Sequence, residues 1–247
     1  YSEINLLNDP LRILRCFRFV SELNFKIDPR LIVFIKKNKG KLLLVAKERI
    51  NYEIQKIVNG ANALETLILI KKFNIFGLDN LYKDSFFLDL HKINSSEFNH
   101  HEKEKFLPLF FIAQILDEAS LEKFKFNRAA IAKIKLLRKW HFFLEKNNIN
   151  CLNEFDRYLL HQELEMFLPT FIFHLPENLR LSWLNRWRDK NDKLFHPSNL
   201  VNGDIIKKKL KIEDGPVLGE LLQYLSKELA YKRLNNFDEA IYKAKQW

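Results

Sequence analysis

Arginine recurs at every third position in one short segment, directly after an aspartate. The segment reads NDPLRILRCFRF over residues 8–19 and contains Asp9, Arg12, Arg15 and Arg18. Guanidinium groups stay charged in any site and bind phosphates through paired hydrogen bonds. An aspartate and an arginine together can also read a base edge, because the carboxylate accepts from an exocyclic amine while the guanidinium donates to the adjacent ring nitrogen. Such a pair selects cytosine and adenine and repels guanine and uracil, which present a carbonyl beside a ring N–H.

A plainer interpretation of the same segment stays open. Asp9 can cap a helix, and Pro10 suits the first helical position. An apolar stripe at helical spacing follows, formed by Leu11, Leu14, Phe17 and Val20 or Phe19. In this interpretation the arginines are only the solvated basic face of an amphipathic helix.

A second basic segment lies near the other end of the sequence, on a short predicted helix after Asn202-Gly203. Its members are Lys207, Lys208, Lys209 and Lys211. Lysines in such a run either contact nucleic-acid phosphates or form a solvated helix face, and the spacing alone favours neither alternative.

The patterns of two kinds of metal-dependent site are missing from the sequence. No Asp-x-Asp occurs, and Asp9, Asp28 and Asp79 are too scattered to predict a two-metal site. His100 and His101 stand together, but the sequence has no His-Asp dipeptide of the kind that an HD phosphohydrolase needs. We therefore predict that these two histidines lie at the surface, and we assign no catalytic residue and no metal ligand to this chain.

Few turn residues and several amphipathic segments predict an all-α fold. The chain has 6 glycines and 7 prolines, together about 5% of its 247 residues, whereas typical combined usage is about 12%. No convincing strand pair appears in the sequence. We predict helices at residues 9–23, 28–38, 46–58, 62–76, 101–118, 127–146, 152–167, 177–190, 204–211, 216–230 and 237–245. Residues 77–100 are irregular in pattern and are the best candidate for a joint between subdomains.

Composition and charge favour an anionic partner and a reducing compartment. The chain of 247 residues is 47% hydrophobic, enough for one or two domains with a sizeable core. Its net charge is +10, and residues 1–60 hold 12 bases against 6 acids. A basic helical protein suggests nucleic acid as the partner, although a basic protein without such a partner stays open. Cys16 and Cys151 are too few for a disulfide scaffold, and no apolar run approaches the roughly 18 residues of a membrane span. We predict a cytoplasmic protein.

Three blocks of the sequence resemble class II tRNA nucleotidyltransferases and bacterial poly(A) polymerases. DPLRILRCFRFVSELNFKIDPRL (9–31) is similar to the neck motif of that family, Glu-Asp-x-x-Arg followed by Leu-Arg-x-x-Arg-Phe and Phe-x-Ile-Asp-Pro. Residues 46–53 are similar to Ser-x-Glu-Arg-Ile-x-x-Glu. LVNGDIIKKKLKIEDGPVLGELLQYL (200–225) and residues 237–240 resemble the C-terminal Asn-Gly-x-x-Leu, Gly-Pro-x-x-Gly-x-x-Leu and Glu-Glu-Ala blocks. The blocks occur in the family's order and span almost the whole chain.

The resemblance implies roles for residues of the first block. Asp9 and Arg12 match the pair that reads the base of an incoming CTP or ATP. Arg15 and Arg18 match arginines that face the nucleotide phosphates or brace that pair. The usual glutamate before the aspartate is Asn8 here, which can still accept a hydrogen bond but carries no charge.

The resemblance implies structural and RNA-binding roles for the other two blocks. Glu48 and Arg49 match a motif that buttresses the neck helices. The lysines from Lys207 to Lys211 lie in the region corresponding to the family's tail, which grips the elbow of tRNA. We therefore expect these lysines to contact tRNA phosphates if they are not a solvated face.

The resemblance also implies a division into neck (1–60), body (61–150) and tail (151–247), without the catalytic head. The family's metal-binding carboxylates lie in an N-terminal head, which we expect to precede Tyr1. The implied function of the whole protein is addition of C and/or A to tRNA 3′ ends without a template, with Mg²⁺ in the head. The present chain alone is expected to bind tRNA weakly and to incorporate no nucleotide. A poly(A) polymerase and a non-catalytic helical RNA-binding module stay open as alternatives.

Overall fold

Helices are the regular elements of both compact units into which the chain divides, Tyr1–Phe142 and Phe143–Trp247. The computed structural model describes residues 8–78, 84–93, 95–198, 200–213 and 215–247. No strand occurs in these ranges, and the predicted all-α class is confirmed. None of the helices in the same ranges combines the length and apolarity that a membrane span requires. The three-part division at residues 60 and 150 stays a prediction.

The helices of the first unit lie close to the predicted positions. They are α1 (Arg12–Leu23), α2 (Pro29–Asn38), α3 (Lys47–Val58), α4 (Ala63–Lys72), α5 (His100–Ile115), α6 (Glu118–Lys123) and α7 (Arg128–Lys146). The last residues of α7 belong to the second unit. Asp28 caps α2 as its sequence signal predicts, because its carboxylate accepts from the backbone N–H of Arg30 at 2.7 Å.

The second unit is also helical, with its C-terminal helices around one core. Its helices are α8 (Glu154–Leu164), α9 (Leu168–Ile172), α10 (Glu177–Arg188), α11 (Gly203–Leu210), α12 (Pro216–Ala230) and α13 (Phe237–Gln246). Ile206, Leu221 and Ala240 from α11, α12 and α13 are fully buried together. This core holds α11, and with it the lysine segment, against the last two helices.

Several helix ends differ from the predictions for local reasons. The first helix begins at Arg12, because the Asp9 carboxylate accepts from the N–H of Leu11 at 3.3 Å and so caps the preceding turn, and not the helix itself. The predicted helix 101–118 ends at Ile115, and Asp117 caps a further, unpredicted helix at the N–H of Ser120. The predicted helix 62–76 ends at Lys72, before Asn74 with a φ of 48°. Residues 79–83, with Asp79, and residue 94 lie outside the described ranges.

Helices α1 and α3 lie side by side and run in the same direction. Ile50, Ile54 and Ile57 of α3 are at most 1% exposed, as their spacing predicts. At the C-terminal ends of the two helices, Ser21 Oγ donates to the carbonyl of Ile57 at 2.6 Å. Gly60 also meets α1 there, where a Cβ would stand 2.1 Å from Ser21 Oγ. Only glycine allows this contact, which sets the distance between the two helices.

Candidate functional site

Asp9 lies just before α1 and contacts the first turn of α3. Its Oδ2 lies 3.2 Å from Nη2 of Arg49, while its Oδ1 accepts from the N–H of Leu11. The side chain of Asp9 is 26% exposed and that of Arg49 is 50% exposed, so solvent screens the ion pair and its contribution is below about 1 kcal/mol. Arg49 therefore braces α1 through Asp9, the residue for which the sequence predicts base reading.

A buried carboxylate holds two of the three predicted arginines. Glu53 of α3 is 2% exposed and accepts from Arg15 Nε at 3.2 Å and from Arg18 Nη1 at 3.1 Å. Arg18 Nε also lies 3.4 Å from Glu22 one turn further along α1. Because carboxylates neutralise both guanidinium groups, the geometry favours the bracing alternative for Arg15 and Arg18. Their contact with nucleotide phosphates stays a prediction.

Arg12 is the first residue of α1 and is half-buried. Helical spacing places it one turn before Cys16 and two turns before Phe19 on the same side of α1. Asp9 and Arg12 therefore lie at the same end of the paired helices α1 and α3, and they are three residues apart in sequence. Their contact with a base stays a prediction.

A hollow of about 300 Å³ opens between α1 and α3 beside these ion pairs. Its walls carry carboxylates, guanidinium groups and one aromatic ring, from Leu11, Arg15, Arg18, Glu48, Arg49, Tyr52 and Glu53. Glu48 is exposed in the first turn of α3, next to Arg49. The walls thus hold both hydrogen-bond donors and acceptors, a chemistry that suits hydrogen bonding to a polar ring.

Sequence reasoning singled out Asp9 and Arg49 separately but did not predict their pairing, and it named Glu53 only as part of a motif. A signal for Glu53 was present, because Ile50, Glu53, Ile54 and Ile57 follow the 0, 3, 4, 7 spacing of one helix face. A carboxylate inside such an apolar stripe must be paired when it is buried. The partner of Asp9 depends on how α1 and α3 align. These helices are far apart in sequence, so no local pattern predicts their alignment.

Within the described ranges, no group of three or more His, Cys, Asp or Glu side chains is arranged to hold a metal ion. His100 and His101 are exposed, which confirms their predicted surface position, and His100 Nε2 lies 3.8 Å from Glu104 on the next turn of α5.

The lysine segment occupies α11 and the residue after it. Lys207 Nζ lies 2.8 Å from Asp204 Oδ1, and this hydrogen bond holds the pKa of Asp204 below its ordinary value. Lys209 stands over the ring of Phe237 at 4.9 Å, whereas Lys208 and Lys211 are exposed. Two of the four ammonium groups therefore have contacts within the second unit. A role of the segment in RNA binding stays a prediction.

Comparisons of sequence relate the chain to enzymes that act on tRNA. A family model described as the probable RNA and SrmB-binding site of polymerase A matches residues 24–78. A CC-adding tRNA nucleotidyltransferase of Synechocystis is 22% identical over 270 residues, covering 96% of this chain and 64% of that protein. The tRNA nucleotidyltransferase cca2 of Schizosaccharomyces pombe is 43% identical over 75 residues, covering 29% of this chain and 16% of that protein. The chain thus spans less than two thirds of the length of these relatives.

A solved structure has the same helical fold. The CCA-adding enzyme of Bacillus stearothermophilus, solved in complex with CTP, matches 99% of this chain and 63% of its own chain. The TM-score is 0.68 at 17% sequence identity. The order of helices in the present chain is therefore that of a known fold.

Proposed function

We propose that this chain is part of an enzyme that adds C and/or A to tRNA 3′ ends. The chain belongs to the class II tRNA nucleotidyltransferase and poly(A) polymerase family and corresponds to its C-terminal helical region. The observation that carries the proposal is the position of Asp9, whose side chain is 26% exposed beside Arg49 and lies three residues before Arg12. In this role its carboxylate accepts from the exocyclic amine of CTP or ATP while the guanidinium of Arg12 donates to the adjacent ring nitrogen.

The proposal gives this chain selection and binding, and no bond-making step. Nucleotide transfer in this family uses metal-bound carboxylates, and Mg²⁺ would neutralise developing charge on the phosphates. In the proposal those ligands belong to an N-terminal head of the longer protein. The neck residues of the present chain orient the base, Glu53 and Arg49 fix the two helices that carry them, and the second unit contributes to tRNA binding.

A poly(A) polymerase is the second candidate within the same family. The match of residues 24–78 to the RNA-binding model of polymerase A favours it. The two candidates differ in the acceptor RNA and in the number of nucleotides added. Product length on a tRNA that lacks its 3′ CCA separates them, since a tRNA nucleotidyltransferase stops when the terminus is complete.

Substitution at Asp9 and Arg12 tests base reading. In the protein with its N-terminal head, Asp9→Ser is expected to keep the fold, because serine still accepts from the N–H of Leu11, but it is too short to reach a base amine. Discrimination of C and A against G and U should fall by about 1–3 kcal/mol, about 5- to 150-fold, and Arg12→Ala should do likewise. The measurement is incorporation of each of the four nucleotides, with thermal melts of each variant.

Asp28 offers a matched control for that experiment. It precedes Pro29 as Asp9 precedes Pro10, and its carboxylate also accepts from an N–H two residues on. Asp28→Ser is therefore expected to leave the order of nucleotide preference unchanged. Normal preference for C and A in Asp9→Ser would mean that Asp9 only supports a turn, and the base-reading proposal would be wrong.

The lysine segment predicts a salt-dependent contribution to tRNA affinity. Changing Lys207, Lys208 and Lys209 together to alanine should weaken tRNA binding and flatten the slope of log affinity against log salt by up to about one unit per lost phosphate contact. The triple arginine variant keeps the charge and should keep the slope, and nucleotide preference should be normal in both. An unchanged slope in the alanine variant would identify the lysines as a solvated face.

A further inference from the structure

A second and larger cleft lies on the other side of α1, against α2 and the segment that joins the two helices. Its volume is about 500 Å³, within the range of small-molecule sites. Three phenylalanines, Phe19, Phe25 and Phe34, contribute to its walls. Phe34 is 8% exposed, while Phe25 leaves 58% of its surface in solvent. A ring held at the mouth of an aromatic cleft offers a flat face to a second ring.

Basic side chains stand beside this aromatic surface. Lys26 and Arg30 also line the cleft and are exposed. Asp28 is the acid among the lining residues, and its Oδ1 is already bonded to the N–H of Arg30. The cleft therefore pairs aromatic faces with two cations at its edge, which is the chemistry that binds single-stranded nucleic acid.

The lining of the cleft begins one helical turn after Arg12, on the same face of α1. Cys16 and Phe19 line it, and they follow Arg12 at spacings of four and seven residues on α1. One turn of an α-helix rises about 5.4 Å, which is about the reach of one nucleotide along an RNA strand. An RNA strand near Arg12 therefore has an aromatic surface within one or two turns.

We propose that this cleft binds one unpaired nucleotide of the RNA substrate, with its base stacked on Phe25 and its phosphates near Lys26 and Arg30. The proposal rests on the proposed function in one respect, that the partner is RNA. It adds a stacking site for an RNA nucleotide that is separate from the site for the incoming nucleotide at Asp9 and Arg12.

The two cysteines of the chain provide an internal probe. Cys16 lines the cleft, whereas Cys151 is exposed in the second unit. Burial raises the pKa of the Cys16 thiol, so each cysteine is compared with its own rate in the absence of RNA. A short single-stranded RNA should slow alkylation of Cys16 at least about five-fold at saturation and leave Cys151 unchanged. A duplex of the same composition, and ATP or CTP alone, should not protect Cys16.

Substitution of the exposed aromatic ring gives a second measurement. Phe25→Ala should weaken binding of the same RNA about 5- to 150-fold, the range found when a stacking ring is removed. Val33→Ala is the matched control, because Val33 is 69% exposed on α2 and does not line the cleft. Thermal melts should show both variants folded, since each change is at an exposed side chain.

The outcomes separate this proposal from the proposed function. Equal alkylation of Cys16 with and without RNA, or equal RNA affinity of Phe25→Ala and Val33→Ala, would overturn the stacking site and leave base reading at Asp9 untouched. Protection by ATP or CTP alone would also overturn it, in favour of a site for free nucleotides. Protection by RNA that persists in Asp9→Ser supports the stacking site even if that variant selects nucleotides normally.

Discussion

Replacing Glu53 by alanine is expected to lower the free energy of unfolding of the first unit by about 2–3 kcal/mol. Loss of one partner of a buried ion pair typically costs about 3–5 kcal/mol, because the remaining charge is left without compensation. The cost here is below that range because Arg15 and Arg18 are 38% and 21% exposed and regain some water. Urea denaturation followed by circular dichroism measures the change.

Glu48 provides the control on the same helix. It is exposed in the first turn of α3, so Glu48→Ala should change the free energy of unfolding by no more than about 0.5 kcal/mol. Equal losses in Glu53→Ala and Glu48→Ala would contradict the clamp described between α1 and α3. In the longer enzyme of the proposed function, Glu53→Ala should also impair nucleotide selection, because the helix that carries Arg12 loses its brace.

Acidification from pH 7 to pH 5 is expected to destabilise the second unit by about 2 kcal/mol through His161. The imidazole is 1% exposed and packs against the rings of Phe195 and Trp183, at centroid distances of 4.1 and 5.0 Å. Burial, helped by the charge of Arg186, lowers the pKa of His161 to about 3. The unfolded chain, with an ordinary pKa of about 6.5, therefore binds the proton first, and stability falls as the pH drops below that value.

His161→Phe isolates this contribution, because it keeps a ring packed against the two aromatic neighbours and cannot titrate. Denaturation of both proteins at pH 7 and pH 5, followed by tryptophan fluorescence, gives the difference. The wild type should lose about 2 kcal/mol more than the variant between the two pH values. The same pH dependence in both proteins would show that His161 does not stay neutral in the folded unit.

Local signals predicted most of the helices but not their contacts. Each of these signals extends over one or two helical turns, so a short window of sequence contains it in full. Examples are the Asp28-Pro29 start and the stripe of Ile50, Ile54 and Ile57. The helix that begins at Glu118 was not predicted. Asp117 is a capping signal of the same kind, but the apolar pattern continues across it. Helix ends were therefore less predictable than helix positions.

The candidate site was predictable in its residues and not in its geometry. The order of Asp9, Arg12, Arg15 and Arg18 and a family resemblance were enough to select them. The bonds of Arg15 and Arg18 to Glu53 depend on how α1 and α3 align, which is set by side chains that are about 35 residues apart in the chain. Long-range register of this kind is a property of packing, and no periodicity within one segment contains it.

The parallel alignment of α1 and α3 has an electrostatic consequence at the end where Asp9 lies. Each helix carries the equivalent of about half a positive charge at its N-terminus, and parallel packing puts both of these together. The formal charges of Asp9, Arg12, Lys47, Glu48 and Arg49 sum to +1 at this end. With the two helix dipoles this end is net positive by about two charges, so an anion such as a triphosphate is attracted there even while Arg49 keeps its bond to Asp9.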